Sequence, residues 1–347
     1  MNELVSAQTA TALKQVKLGF LGVGWIGRHR MKAMLDSGFA EAVAIADPST
    51  DMLRQARTLA PDAMIATDLE ELLDQQLDGV VIATPSASHT EQAIRALEAG
   101  IAVFCQKPLG RTASEVKAVA DASKTANRLL GVDLSYRHTE GMRQIRELIR
   151  SGALGKVFAA DLTFHNAYGP DKAWFYDKTL SRGGCLIDLG VHLIDLALWC
   201  LDFPSVATVT SELRAGGKRL EESGSVEDFT AATLTLSDDR VVRLTSSWRL
   251  QAGCDAVIGA DFFGTEGGAS FRNVDGSFYG FTAARLSGTS REILAEPPEE
   301  WGGRAAVDWT SRLARGQRYD PAAEEFVAVA SVIDRIYQAG GCDLRTP

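Results

Sequence analysis

The chain has 347 residues, more than one ordinary domain holds, so two domains are expected. Apolar residues make up 46% and charged residues 23%, the balance of a globular chain and not of a disordered one. A net charge of −9, with no block of Lys or Arg, argues against a nucleic-acid partner.

Strand-like and helical patterns alternate over the first third. "VKLGFLG" (Val16–Gly22) precedes a helix reaching Ser37, and "AVAIAD" (Ala42–Asp47) precedes one running through Leu59. "GVVIAT" (Gly79–Thr84) leads into the helix "SHTEQAIRALEAG", "IAVFCQ" (Ile101–Gln106) into a helix near Ser114–Asn127, and "LLGVDL" (Leu129–Leu134) closes the series. Buried apolar strands separated by amphipathic helices predict a parallel sheet covered on both faces.

After about Tyr136 the pattern changes. A helix over Glu140–Ser151 is followed by the strand "KVFAADLTFHN" and a long, mostly apolar helix ending at Cys200. "DFTAATLTLSDDRVVRLTSSWRL" then reads as an antiparallel hairpin turning at Asp238-Asp239, with further strands at Ala256–Gly264 and Ala269–Arg272. Pro321 and Gly340 bracket a last helix, Pro321–Gln338. The change of period divides the chain into residues 15–135, a unit of parallel strands and helices, and residues 136–347, a second unit.

The N-terminal "MNELVSAQTATALKQ" has an acid, no basic start and no long apolar core, unlike a secretory signal. No apolar run is expected to reach the ~18 residues of a membrane span, so the expected location is the cytoplasm. The five cysteines, Cys105, Cys185, Cys200, Cys254 and Cys342, show neither CxxC nor Cys/His ligand spacing and read as small buried thiols; no metal is expected.

"GVGWIG" places Gly22, Gly24 and Gly27 at GxGxxG spacing between a strand and a helix, with Trp25 and Ile26 inside the turn. The first glycine permits the turn, the second lets backbone approach a pyrophosphate, and the third permits close helix–strand packing. The helix N-terminus adds free N–H groups and a positive dipole end. Asp47 ends the second strand 20 residues beyond Gly27, where a ribose-binding acid belongs. "DPST" supplies no basic neighbour for a 2′-phosphate, so NAD is expected in preference to NADP.

Thr84-Pro85 and "CQKPLG" end the next two principal strands at the edge where such sheets bind ligands. Ser88 is open to reading as a helix cap, with Glu91 completing a capping box, and His89 to a structural reading. Pro108 restricts the backbone of Lys107, and the turn is expected to aim the ammonium into a cleft. In "RGGCLIDLGVHLIDLALWC", Asp188, His192 and Asp195 recur at i, i+4 and i+7, one stripe on an otherwise apolar helix. Buried carboxylates and imidazoles are costly unless paired or functional.

In order and separation, "LGVGWIG", "ATPSASHTEQAIRALEAG", "CQKPLG" and "SRGGCLIDLGVHLIDL" resemble the glucose–fructose oxidoreductase / inositol dehydrogenase / rhizopine-catabolism family, from about Val16 to Trp248 and more loosely to the last helix. The resemblance implies a Rossmann domain, then an α/β domain with a large open, mainly antiparallel sheet, and NAD(P)-dependent oxidation of sugars or polyols. It carries a catalytic lysine to Lys107 and a catalytic pair to Asp188 and His192. The family's Glu-Lys-Pro is here Gln106-Lys107-Pro108, which removes a charge beside the cofactor. With Gly22, Gly24, Trp25, Ile26, Gly27, Asp47, Thr84, Pro85, His89 and Lys107, Gln106 makes up the expected cofactor site.

His192 is then the base that takes the hydroxyl proton, Lys107 stabilises the alkoxide and disfavours a protonated imidazole, and Asp188 holds either the substrate hydroxyl or the lysine. Gly183-Gly184 is expected to let backbone approach where the helix enters the cleft. Asp195 is assigned to a neighbouring backbone group or Arg, and Trp248 to sheet packing. Tyr136, Arg137, His165, Asn166 and Trp174 join Asp188 and His192 as candidate substrate contacts, Trp174 being open to a core reading. The exposed sheet face calls for a homodimer or homotetramer. Two rival readings stay open: an NAD-assisted glycoside hydrolase, and a non-catalytic NAD-dependent sensor on the same fold.

Overall fold

The computed structural model describes residues 15–220 and 225–342. The segment read as lacking a secretory signal lies, up to residue 14, outside the described residues. Strands β1 (Val16–Leu21), β2 (Ala40–Ala46), β3 (Met64–Ile65), β4 (Gly79–Ile82), β5 (Ala102–Cys105) and β6 (Leu130–Val132) form one six-stranded parallel sheet, ordered β3-β2-β1-β4-β5-β6. Order reverses beside β1, and that switch point opens a crevice at the carboxyl ends of the strands. The central strands β4 and β5 are buried along their whole length, which is why they read as continuous apolar runs.

Nine further strands build the second sheet: β7 (Val157–Asn166), β8 (Val206–Ala215), β9 (Lys218–Arg219), β10 (Phe229–Leu236), β11 (Val241–Ser247), β12 (Ala256–Gly264), β13 (Gly268–Asn273), β14 (Phe281–Ser287) and β15 (Ser290–Ala295). Their order is β15-β14-β13-β12-β7-β11-β10-β8-β9, antiparallel throughout except where β7 lies parallel to β11. The hairpin expected at Asp238-Asp239 is β10–β11, in register from Phe229 opposite Ser247. In β10, Thr230, Ala232, Leu234 and Leu236 turn inward, and the alternate residues are half-buried on the open face.

The long apolar helix packs on the inner face of this sheet, but it is not one regular helix. A π-helical turn, Leu186–Gly190, precedes the α-helix Val191–Cys200. The wider turn changes the phase between Asp188 and the residues after it, so the expected stripe splits. Together with the short helix before it, Lys178–Cys200 is long and apolar enough by length and composition to cross a membrane, contrary to the expectation that no run reaches that length; most of it is buried inside the protein. Glu227, itself buried, receives the start of this segment. Its Oε1 accepts from Gly184 N–H (2.9 Å), Leu186 N–H (3.0 Å) and the Tyr337 hydroxyl (2.8 Å). The double glycine therefore serves this approach and not the cleft: a Cβ on Gly184 would lie 1.8 Å from the Glu227 carbonyl oxygen, and one on Gly183 would lie 1.9 Å from the Tyr337 oxygen.

The chain returns at its end to the first sheet. Helix Arg304–Ala314 lays Trp309 across β4 and β6 at Gly79 and Gly131, where a Cβ would stand 2.6 Å from the indole. Helix Ala323–Ala339 packs beside helix Ala113–Ala126 and places Ala323 and Ala330 in the first sheet's core. Only the second of these helices is visible as a pattern, at nearly its expected bounds.

Candidate active site

A cleft of about 850 Å3 runs along the carboxyl edge of the first sheet and continues under the second half of the chain. Its floor comes from Gly22, Gly24, Trp25 and Ile26, then Asp47, Thr84, Pro85, His89, Gln106 and Lys107. Its far wall comes from Tyr136, Trp174, Asp188 and His192, joined by Phe278, Tyr279 and Trp301.

The glycine turn is built for a ligand to come close. Gly22 has φ +84°, and a Cβ there would strike Ala83 backbone at 2.6 Å. Gly27 packs so tightly that a Cβ would lie 2.1 Å from the Gly22 carbonyl oxygen. Gly24 differs: a Cβ there would meet nothing within 4 Å, so its absence leaves room on the cleft side. Helix Trp25–Asp36 begins there with no side-chain cap and no acid in its first turn, which leaves its first N–H groups available to an anion. Asp47 is held by Val23 N–H and Ser49 N–H, both at 2.9 Å, and lines the same cleft. An open notch, a free helix N-terminus and an oriented carboxylate fit a dinucleotide with an unphosphorylated ribose.

His89 braces the turns that carry the site. Its Nδ1 lies 2.7 Å from the Pro108 carbonyl oxygen and its Nε2 2.8 Å from that of Thr84, tying the end of β4 to the end of β5. Thr84 donates to Gln92 (2.6 Å), while Ser88 makes no capping hydrogen bond, so the expected capping box is absent.

Lys107 points into the cleft. Its Nζ donates to Asp188 Oδ1 at 2.6 Å and to the Asp188 carbonyl oxygen at 2.8 Å. Trp248 Nε1–H donates to Asp188 Oδ2 at 3.1 Å, so the carboxylate is held from both sides. Of the two roles expected of Asp188, the geometry selects holding the lysine. It also gives Trp248 a polar partner beyond sheet packing. His192 stands one turn further on, 8% exposed, with Tyr136 edge-on to its ring at 5.0 Å between centroids. Neither ring nitrogen is hydrogen-bonded to a described residue. Burial, followed by the positive charges of Lys107 and Arg30, holds the imidazole well below its ordinary pKa, leaving it neutral and able to accept a proton.

Other expected contacts do not meet in the cleft. Arg137 turns away into a buried ion-pair cluster, donating to Asp195 (2.8 Å) and Glu325 (2.6 Å). Asp195 is thereby paired with an Arg, as assigned, and the stripe divides between the cleft and this cluster. His165 lies on the open face of the sheet, at 2.7 Å from Ser247 and stacked on Phe229, because it alternates with inward-facing Phe164 along β7. Asn166 accepts from Tyr168 N–H at 2.8 Å in a local turn and also lies outside the cleft. Among the described residues, no group of three or more His, Cys, Asp or Glu is arranged to hold a metal ion.

Sequence reasoning missed Arg30, Asp133, Tyr279 and Trp301. The first two form a buried ion pair at 2.6 Å beneath Gln106. An Arg on the buried side of an otherwise ordinary helix was the available signal. Tyr279 and Trp301 come from loops late in the chain that carry no motif.

The family description "oxidoreductase family, NAD-binding Rossmann fold" matches residues 16–134, and the GFO/IDH/MocA C-terminal domain matches residues 142–270. The chain belongs to this family. It is an oxidoreductase with an NAD-binding Rossmann fold. It is 29% identical to D-glucoside 3-dehydrogenase of Escherichia coli (strain K12) over 245 residues, 66% of this chain and 69% of that one. With inositol 2-dehydrogenase of Acidothermus cellulolyticus the identity is 26% over 333 residues, 92% and 91% of the two chains. Levoglucosan dehydrogenase, solved with NADH and levoglucosan, superposes with a TM-score of 0.81 at 22% identity, over 94% of this oxidoreductase and 98% of the other chain.

Proposed function

We propose that this oxidoreductase removes hydride from a secondary or anomeric hydroxyl-bearing carbon of a sugar, cyclic polyol or related derivative, with His192 as base. The observation that carries the reading is the meeting of Lys107, Asp188 and neutral His192 in one cleft with the glycine turn. Bound NAD supplies the hydride acceptor. The chain's own residues then divide the rest of the work. His192 accepts the hydroxyl proton, its ring held by Tyr136. Lys107, steadied by Asp188, donates to the same oxygen as negative charge develops. Trp174, Tyr279 and Trp301 offer aromatic faces to the apolar side of a sugar ring, while Arg137, His165 and Asn166 are left out of the contact set.

The reading divides the chain into a cofactor half, residues 15–135, and a substrate and oligomerisation half, residues 136–347, whose last helices pack back on the first. The half-buried open face of the second sheet supports a homodimer or homotetramer. The unbridged thiols of Cys105, Cys185, Cys200 and Cys254 suit a reducing, cytoplasmic location.

Screening sugars and polyols for NADH formation tests the reading. Replacing His192 by Ala is expected to lower turnover by ~10²-fold or more while NAD binding persists. An H192A enzyme with undiminished turnover would overturn the assignment. NAD held tightly, with glycoside cleavage and no net NADH, would favour the hydrolase instead. The intact Lys107–Asp188 pair beside a neutral imidazole speaks against a pure sensor.

A further inference from the structure

β5 and β6 run parallel, with Cys105 opposite Val132, so the residues that leave these strands, Gln106 and Asp133, emerge side by side. Asp133 is 1% exposed. Its Oδ2 accepts from Arg30 Nε and from Gln106 Nε2, both at 2.6 Å, and its Oδ1 accepts from the Ser135 hydroxyl at 2.8 Å. Arg30 reaches Ser135 as well, at 3.2 Å. Three side chains from three parts of the Rossmann half thus close on one buried carboxylate, directly under the cleft.

This arrangement decides which way the Gln106 amide faces. A carboxylate paired with a guanidinium has no proton to give, so the side of the amide turned toward Asp133 must be the NH2 group. The amide oxygen is then left for the cleft, which Gln106 lines, and no other described residue hydrogen-bonds the Gln106 side chain. We propose that Asp133 is a positioning residue that locks Gln106 with its carbonyl oxygen toward the bound nicotinamide nucleotide. The negative charge absent at position 106 is thus carried one strand over, at position 133. The inference rests on the NAD reading of the cleft.

Charge bookkeeping supports the assignment. Arg30 and Asp133 form one compensated pair, and Lys107 and Asp188 a second, so the cleft keeps both pairs neutral beside an uncharged His192. A glutamate at position 106 would set a second carboxylate against Asp133 at hydrogen-bonding distance, removing the NH2 donor and adding like-charge repulsion. Exchanging the two groups avoids this. In the pair Gln106→Glu with Asp133→Asn, total charge is unchanged and the new amide, with its NH2 where Oδ2 stood, donates to the new carboxylate, while Arg30 Nε loses the acceptor it shared with Gln106.

The test is a double-mutant cycle on the full-length enzyme, reading NADH affinity by fluorescence titration, KM for NAD and kcat by steady-state assay, and thermal midpoint. Gln106→Glu and Asp133→Asn are each expected to weaken NADH binding about tenfold or more, the change falling on KM for NAD more than on kcat. The double variant is expected to bind NADH more tightly than the product of the two single effects. A Gln106→Glu enzyme that binds NADH as tightly as the parent overturns the proposal, as does a double variant no better than the product of the singles. Because the exchange restores the net charge and the hydrogen bond between positions 106 and 133, it keeps the test decisive if one single variant folds poorly. A parent enzyme that binds no NADH overturns the NAD reading itself, whereas normal parental binding with additive variants overturns only the role of Asp133.

Discussion

Asp188 shows how one side chain is made to serve a site without touching the reacting atoms. Its two oxygens are engaged by different halves of the chain, Lys107 from the end of β5 and Trp248 from just past β11. A carboxylate held at both oxygens keeps the ammonium at one place and spares the entropy of ordering it in each catalytic cycle. Trp248→Phe keeps the buried ring and deletes only the N–H. It is expected to lower kcat about tenfold, the worth of a hydrogen bond to a charged group, with NADH affinity unchanged. Steady-state kinetics beside NADH titration check this; equal kcat in W248F would show that Lys107 alone orients the carboxylate.

At the scale of elements, the last third of the chain clamps the first. Trp309 is buried against Phe104 and fits glycine notches in β4 and β6. Trp309→Ala is expected to cost about 3–5 kcal/mol of folding stability, read as a lower denaturant midpoint, and to loosen the sheet edge that carries Gln106 and Lys107. A variant as stable as the parent would mean that the helix is held elsewhere. This clamp also marks where legibility ended. The parallel strands, the glycine turn, Asp47, Lys107 and the Asp188/His192 pair each have a local pattern, because each lies in a short run whose residue types set a strand, a turn or one face of a helix. Helix Arg304–Ala314 and the Arg30–Asp133 pair depend on partners about a hundred residues or more away, and nothing local encodes such a meeting. Arg137 and His165 were misplaced for a related reason. Arg137 follows cleft-lining Tyr136 and His165 follows Phe164, whose ring packs against His192, but the backbone turns each to the opposite side. The π-helical turn likewise has no visible signature, yet it decides that Asp188 and Asp195 face different partners.

Across the whole molecule, all five histidines are held below their ordinary pKa, with burial the first cause in each case. His138, near Arg143 and Arg137, is pushed down to about 4. In the unfolded chain these imidazoles take up protons from about pH 6.5 downward, while in the folded protein they resist until lower pH. Their contribution to stability is therefore full above pH 6.5 and is lost as pH falls through the folded values. The buried carboxyls of Asp195 and Glu227 are raised instead and work in the opposite sense at the acid end, so the histidine contribution has to be isolated by difference. His138→Asn keeps an acceptor for Arg143, whose N–H now meets Nδ1 at 3.1 Å, and removes the titration. Measured by calorimetry between pH 6.5 and 4, the thermal midpoint of the variant is expected to fall less steeply than that of the parent. Parallel curves would show that His138 charges as readily in the folded protein as in the unfolded chain, and that its burial carries no acid sensitivity.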